Sequence, residues 1–104
     1  MRTSPTSLQT ELWTSWASLL RSYAAAHGLN APQHAVIEVS PDSITLRVGP
    51  RWLRFTHSLV EQDDKPARAF RLNDTGTVSL ADQPPEEMDV VAERFAREML
   101  TAPL

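Results

Sequence analysis

Four side chains in the middle of the sequence, one tryptophan and three arginines, have the chemistry of a contact surface. They are Arg47, Trp52, Arg54 and Arg71. An indole offers a broad apolar face, and a guanidinium donates several hydrogen bonds in a fixed fork. Both residue types are enriched among the dominant contacts of protein interfaces. If the fold gathers these four side chains on one face, we expect a binding surface there.

The elements that must position these side chains are short strands between Ala35 and Leu72. Apolar and polar residues alternate in this segment, and turn-forming residues separate the runs. We predict strands at 34–40, 43–48 and 51–60, then a polar loop at 61–66 and a fourth strand that ends at Leu72. A fifth, short strand is predicted from Thr77 to Leu80.

The turns predict a register for each hairpin. With Gly49 and Pro50 as the loop residues, the pairs of the second hairpin are Leu46 with Leu53, Ile44 with Phe55, and Arg47 with Trp52. Symmetric closure of the 61–66 loop predicts a further set of pairs, Phe55 with Leu72, Thr56 with Arg71, and His57 with Phe70. Large apolar side chains then share one face, and the four contact residues share the other with Val36, Glu38, Thr45 and Thr56.

Two helices flank the predicted sheet. The first runs over 5–27, begins at a Ser4 cap followed by Pro5, and ends where Gly28 takes a left-handed conformation, Leu29 folds back and Pro32 forbids continuation. Its apolar stripe is Leu8, Leu12, Trp16, Leu19, Tyr23 and His27, widened by Trp13, Leu20 and Ala24. The second opens at Pro84–Pro85 with Glu86, Glu87 and Asp89 in its first turn, and its stripe is Met88, Val91, Ala92, Phe95 and Met99.

This order of elements predicts an α+β fold. We expect one domain over 1–104, with loose ends at 1–4 and 102–104, in which both helices cover one face of a four- to five-stranded antiparallel meander. The chain has 104 residues, a net charge of −3 and no cysteine. Disulfides and thiolate chemistry are therefore excluded, and the acidity lies in the segment 74–104, where seven acidic residues outnumber two arginines.

Catalytic and metal-binding patterns are not visible in the sequence. His27, His34 and His57 lack the spacing of zinc ligands, and no nucleophile elbow, glycine-rich phosphate loop or zinc-protease motif occurs. Asp63–Asp64 and Glu86–Glu87 are explained as turn and helix-start residues. We therefore predict no catalytic residues, no metal and no cofactor, with an enzyme of unrecognised site as a remaining alternative.

The first helix offers a second candidate contact. Its apolar stripe is wider than one sheet face needs, so part of Trp13, Leu20 and Ala24 is expected to stay exposed, unless the second helix covers it. A contiguous exposed apolar patch marks an interaction site. Trp13 is therefore the secondary contact that the sequence predicts.

The function predicted from these features is a small non-enzymatic protein-binding module that acts as a homodimer, such as an adaptor, a secretion chaperone or a regulatory accessory protein. The same Arg and Trp face is also compatible with single-stranded nucleic acid, where bases stack on aromatic rings, although the acidic C-terminal segment disfavours it. A third possibility is that Arg47 merely covers the Trp52 ring as a cation–π pair, with Glu38 neutralising an arginine. Apolar runs far shorter than about 18 residues predict no membrane span, and we expect a cytoplasmic protein.

Overall fold

A computed structural model describes residues 5–29, 31 and 34–101. The elements are α1 (Pro5–Gly28), β1 (Ala35–Val39), β2 (Ile44–Val48), β3 (Arg51–Phe55), β4 (Leu59–Gln62), β5 (Lys65–Leu72), β6 (Thr77–Leu80), β7 (Glu86–Glu87) and α2 (Met88–Thr101). Each strand pairs antiparallel with the next, so the sheet order is the chain order. The α+β class and the antiparallel sheet are confirmed. The sheet has seven strands instead of four or five.

Some predictions fall on residues outside the described part of the chain. These are the Ser4 cap, the helix-stopping Pro32 and the loose ends at 1–4 and 102–104.

The first hairpin puts Val36 opposite Arg47 and Glu38 opposite Thr45, so these residues share a face as predicted, and the second hairpin has the predicted register. Leu46 pairs with Leu53, Ile44 with Phe55, and Arg47 with Trp52. Gly49 in the connecting turn has φ 60°, which glycine adopts without the steric cost of a Cβ. The Pro41–Asp42 turn is closed by a bond from the Ser40 N–H to the Ser43 carbonyl, 2.8 Å.

The predicted third strand is wrong beyond Phe55, because the chain turns there. Thr56 Oγ1 accepts the N–H of Leu59 at 3.1 Å, and the Thr56 N–H donates to the Leu59 carbonyl at 2.8 Å. A hydroxyl that bonds the backbone in this way competes with a continuing strand. The chain therefore reverses through His57 and Ser58, and β4 begins at Leu59.

This extra reversal changes the partners on both sides of it. Phe55 pairs with Val60 and not with Leu72, and Phe70 pairs with Leu80 and not with His57. The predicted pairing of Thr56 with Arg71 is wrong for the same reason. Most of the predicted 61–66 loop is strand, and only Asp63–Asp64 form the turn, with Asp64 at φ 65°.

The second helix starts later than predicted. Glu86 and Glu87 are a two-residue strand that pairs with Val78 and Thr77, and only Asp89 lies in the first turn of α2. The predicted stripe of α2 is confirmed, since Met88, Val91, Ala92, Phe95 and Met99 are all buried. Ala96 and Leu100 extend it.

An aromatic cluster joins both helices to the sheet. The Trp16 ring of α1 lies 5.2 Å from Phe55 and 5.5 Å from Phe70, and 6.4 Å from Phe95 of α2. Phe55 and Phe95 are 5.2 Å apart. Ring separations of 4.5–7 Å add stabilisation beyond the area buried. The core therefore lies between the helices and the face of the sheet that carries Leu53 and Phe55.

The end of α1 differs from the prediction. The helix continues through Gly28, which does not take a positive φ, and Leu29 is 84% exposed instead of folding back. The Ala31 N–H donates to the Gly28 carbonyl at 3.2 Å. Neither helix, over the residues described, combines the length and apolar character that a bilayer span requires.

Candidate binding face of the sheet

The outer face of the first four strands carries two rows of side chains. We call this set the polar face. The first row is Val36, Arg47 and Trp52, and the second is Glu38, Thr45, Arg54 and Glu61. Residues directly opposite one another in antiparallel strands share a face. Leu53 and Phe55, which alternate with Trp52 and Arg54, are fully buried on the other side.

Trp52 is held by Arg54 of its own strand and by Asp63 of the β4–β5 turn. The guanidinium carbon of Arg54 lies 5.4 Å from the centre of the Trp52 ring, which is cation–π distance. The Trp52 N–H donates to Asp63 Oδ1 at 3.0 Å, and its carbonyl accepts the Asp63 N–H at 3.4 Å. The half-buried indole is thus presented from a backbone that the β4–β5 turn holds in place.

Arg47 has a different partner from the one predicted. Its Nε donates to Glu38 Oε1 at 2.8 Å, across the β1–β2 pair, and both side chains remain more than half exposed. Arg54, and not Arg47, covers the Trp52 ring. Glu38 neutralises an arginine, as expected. The cation–π partner of Trp52 is Arg54, which lies two residues further along the same strand.

A shallow depression lies on the polar face where the second row meets the β1–β2 turn. Its volume is about 360 Å³, and its lining residues are Glu38, Val39, Ser40, Ser43, Thr45, Arg47 and Arg54. Thr45 at its floor is buried and accepts a bond from Arg54 Nε at 3.4 Å. The depression therefore has both a fixed hydroxyl and an arginine at its rim.

The formal charges of the two rows cancel. Arg47 stands beside Glu38, and Arg54 is directly opposite Glu61 in the β3–β4 register. The face is therefore rich in charge without a net positive sign. Phosphate chains are held chiefly by an excess of Lys and Arg, which these rows do not have.

Two of the predicted contact residues lie elsewhere. Arg71 is on β5 opposite Ser79, with β4 between it and β3, and its Nε donates to Asn73 Oδ1 at 3.3 Å. Trp13 is 5% exposed, so its predicted exposure is wrong, as it is for Leu20 and Ala24. The structure thus brings together only Arg47, Trp52 and Arg54 of the predicted five.

Sequence reasoning misses two acidic residues of this region. Glu61 and Asp63 belong to the predicted 61–66 loop, but β4 places Glu61 opposite Arg54, and the β4–β5 turn places Asp63 against the Trp52 backbone. The signal that identifies them is the Thr56–His57–Ser58 turn, whose residue types favour a chain reversal.

The three histidines lie apart. His27 Nε2 is 2.9 Å from Glu93 Oε2, His57 Nε2 is 2.8 Å from the Pro41 carbonyl, and His34 is exposed before β1. Within the part of the chain that the structure describes, no three His, Asp or Glu side chains are arranged to hold a metal ion.

Two side chains with shifted pKa values, Tyr23 and Glu86, form bonds to the second helix. The Tyr23 hydroxyl of α1 donates to Asp89 Oδ1 of α2 at 2.5 Å, and this bond raises the pKa of Tyr23. Arg94 donates to both oxygens of Glu86 at 3.0 and 2.8 Å, which lowers the pKa of Glu86. These contacts are structural, because they tie α1 and β7 to α2.

Comparison of the chain with protein-family models, with curated proteins and with solved structures finds no match.

Proposed function

We propose that this chain is a small non-enzymatic protein-binding module, of the kind that serves as an adaptor, secretion chaperone or regulatory accessory protein, and that it acts as a homodimer. Its contact surface is the polar face, with Trp52 at the centre. The observation that carries the proposal is the half-buried Trp52 residue, whose ring lies beside Arg54 and whose backbone is bonded by Asp63, in a face whose charges balance.

A tryptophan held in this way suits a protein contact. Binding costs free energy when mobile side chains become ordered, and a ring already fixed by its neighbours loses little freedom. The surrounding Arg47 and Glu38 already pair with each other, so they form a polar rim that needs no rearrangement. Trp and Arg, with Tyr, are enriched among the interface residues whose truncation costs the most binding free energy.

The balance of charge favours a protein partner over single-stranded nucleic acid. Each arginine of the polar face has a carboxylate beside it, because Glu38 bonds Arg47 from the second row and Glu61 lies opposite Arg54. Phosphate groups would have to displace Glu38 from Arg47. A partner that itself carries mixed charges around an apolar centre meets no such cost.

The test is capture of partners by the immobilised protein from extracts of its source cells, in parallel with Trp52→Ala and Val90→Ala. Val90 is a matched control, since it is an exposed apolar residue on α2, away from the polar face. We expect the same protein to be retained by the wild type and by Val90→Ala and lost by Trp52→Ala. With that partner purified, Trp52→Ala should raise Kd by about 30-fold, the effect of a hot-spot residue.

Three results would count against the proposal. Equal retention by Trp52→Ala, with circular dichroism unchanged, would remove the polar face as the contact surface. Capture that disappears after nuclease treatment, together with oligonucleotide binding that falls steeply with salt, would support nucleic acid instead. Turnover of a substrate by the purified chain would overturn the non-enzymatic assignment.

A further inference from the structure

Among the described residues, no strand pairs with the outer edge of β1. β1 stands at the end of the seven-stranded sheet and pairs only with β2 among the described residues. Natural edge strands are usually protected by proline, lysine, a bulge or a covering segment. Ala35–Val39 has no proline or lysine, its pairing with β2 is regular, and Glu38 is its one charge. This strand is therefore an unprotected template for another strand.

The hairpin bonds show which backbone groups face this outer edge. The Ser40 N–H bonds the Ser43 carbonyl, so that pair is of the hydrogen-bonded type. Hydrogen-bonded and non-hydrogen-bonded pairs alternate along an antiparallel ladder. Glu38 and Val36 therefore direct their backbone groups toward β2. The N–H and C=O groups of Ala35, Ile37 and Val39 point away from the sheet, ready for a partner.

We propose that β1 pairs antiparallel with β1 of a second copy, around a two-fold axis at Val36. The proposal rests on the homodimer of the proposed function and specifies its geometry. Val36 then faces Val36 of the second copy in a non-hydrogen-bonded pair, and Ala35 faces Ile37 of that copy in a hydrogen-bonded pair. The two seven-stranded sheets become one continuous sheet.

Side-chain chemistry selects this register. Val36 is 55% exposed, and pairing it with itself covers both side chains. The same register sets His34 opposite Glu38 of the second copy. His34 has no bonding partner among the described residues, and Glu38 uses only Oε1 toward Arg47. Centring the pair on Ile37 would instead place the Val36 methyl groups against the Glu38 carboxylate.

The dimer extends the proposed contact surface. A two-fold axis perpendicular to the sheet keeps each face on its own side, so both copies present Trp52 on the same side. Val36 belongs to the row of Arg47 and Trp52. In the dimer this row therefore continues across the two-fold axis into the same row of the second copy. A partner with two equivalent sites, or a symmetric dimer, fits this surface.

The absence of native cysteine allows a direct test by cross-linking. Cα atoms of a non-hydrogen-bonded antiparallel pair are about 4.5 Å apart, which is within the span of a disulfide. We expect Val36→Cys to form a disulfide-linked dimer under mild oxidation. Val90→Cys is the matched control, because Val90 is exposed to a similar degree, 50%, and lies on α2. It should remain largely uncross-linked.

Light scattering supplies the second measurement. The wild type should be a dimer at micromolar concentration, and Val36→Lys should raise the dissociation constant at least tenfold, because two ammonium groups would then face each other across the axis. Circular dichroism of Val36→Lys should match that of the wild type, since the position is exposed.

Two outcomes overturn the inference. One is a wild type that stays monomeric at high concentration, and the other is cross-linking of Val36→Cys no faster than that of Val90→Cys. Neither result bears on the contact surface, which is tested separately by whether capture of a protein partner depends on Trp52. Efficient cross-linking with no partner dependent on Trp52 would leave the dimer in place and remove the contact surface.

Discussion

The indole of Trp13 stacks on the imidazole of His57, with ring centres 4.1 Å apart and planes inclined by 28°. Trp13 Nε1 donates to the Ser40 carbonyl at 2.9 Å, and His57 Nε2 lies 2.8 Å from the Pro41 carbonyl. One stacked pair thus connects α1, the β1–β2 turn and the β3–β4 turn. These contacts help to explain why Trp13 is buried.

Replacement of His57 by alanine should destabilise the fold, although the residue is exposed. Loss of the stack and of the bond to Pro41 is expected to cost about 1–2 kcal/mol, measured by urea unfolding. His57→Phe should recover most of this, because it keeps a ring against Trp13. A loss of less than about 0.3 kcal/mol in His57→Ala would show that the stack does not hold the turns.

Trp16 should be the most costly side chain of the core to truncate. Trp16→Ala is expected to lose about 3–5 kcal/mol, a large part of the 5–15 kcal/mol typical of a domain. Trp16→Phe should cost less than half as much. Trp16 Nε1 is buried and finds no hydrogen-bond partner in the described residues, so this change removes no bond and keeps a ring near Phe55 and Phe95.

Equal costs of the two Trp16 variants would contradict this expectation, because they would show that a phenyl ring recovers none of the stabilisation. Urea unfolding at one pH and protein concentration provides the comparison.

The Glu86–Arg94 pair should give acid-dependent stability. Because Arg94 lowers the pKa of Glu86 below its ordinary value of 4.5, the folded state binds this proton less readily than the unfolded state. The stabilisation is present above pH 4.5 and is lost as the pH falls through the folded-state value. Glu86→Gln should therefore be less stable than the wild type at neutral pH, and the difference should shrink in acid.

Glu87→Gln is the matched control for this measurement, since Glu87 is exposed and adjacent in sequence. Urea unfolding of the three proteins across the acid range should show the shrinking difference for Glu86→Gln alone. A difference that is independent of pH would exclude the ion pair as its cause.

Tyr23 should titrate above its ordinary value. Its bond to Asp89 raises the pKa of the phenol, together with burial and the nearby charges of Asp89 and Glu93. The contribution to stability is present below pH 10.0 and is lost as the pH rises through the folded-state value. Tyr23 is the single tyrosine of the chain, so phenolate absorbance reports it alone.

The midpoint of that titration should fall toward 10.0 in Asp89→Asn and in the urea-unfolded wild type. Circular dichroism at each pH identifies the range in which the protein stays folded. A folded wild type with the same midpoint as its unfolded chain would contradict the Tyr23–Asp89 bond.

The alternation of residues by itself determined the faces of the first three strands. Successive side chains of a strand point to opposite faces. This alternation puts Trp52 and Arg54 on the polar face and Leu53 and Phe55 in the core, as observed. The turn at Gly49 set the β2–β3 register in the same local way. The apolar stripe of α2 likewise follows from its spacing alone.

Only the tertiary structure decided which elements became neighbours beyond β3. The turn at Thr56 inserted β4 between Arg54 and the strand of Arg71, and pairing with β6 drew Glu86 out of the helix predicted for it. Burial of Trp13 required two turns that are 16 residues apart in sequence, at Pro41 and His57. A local pattern specifies the face on which a side chain lies. Which residue lies beside it on that face depends on contacts between segments that are distant in sequence, and the energies of those contacts cannot be read from one segment alone.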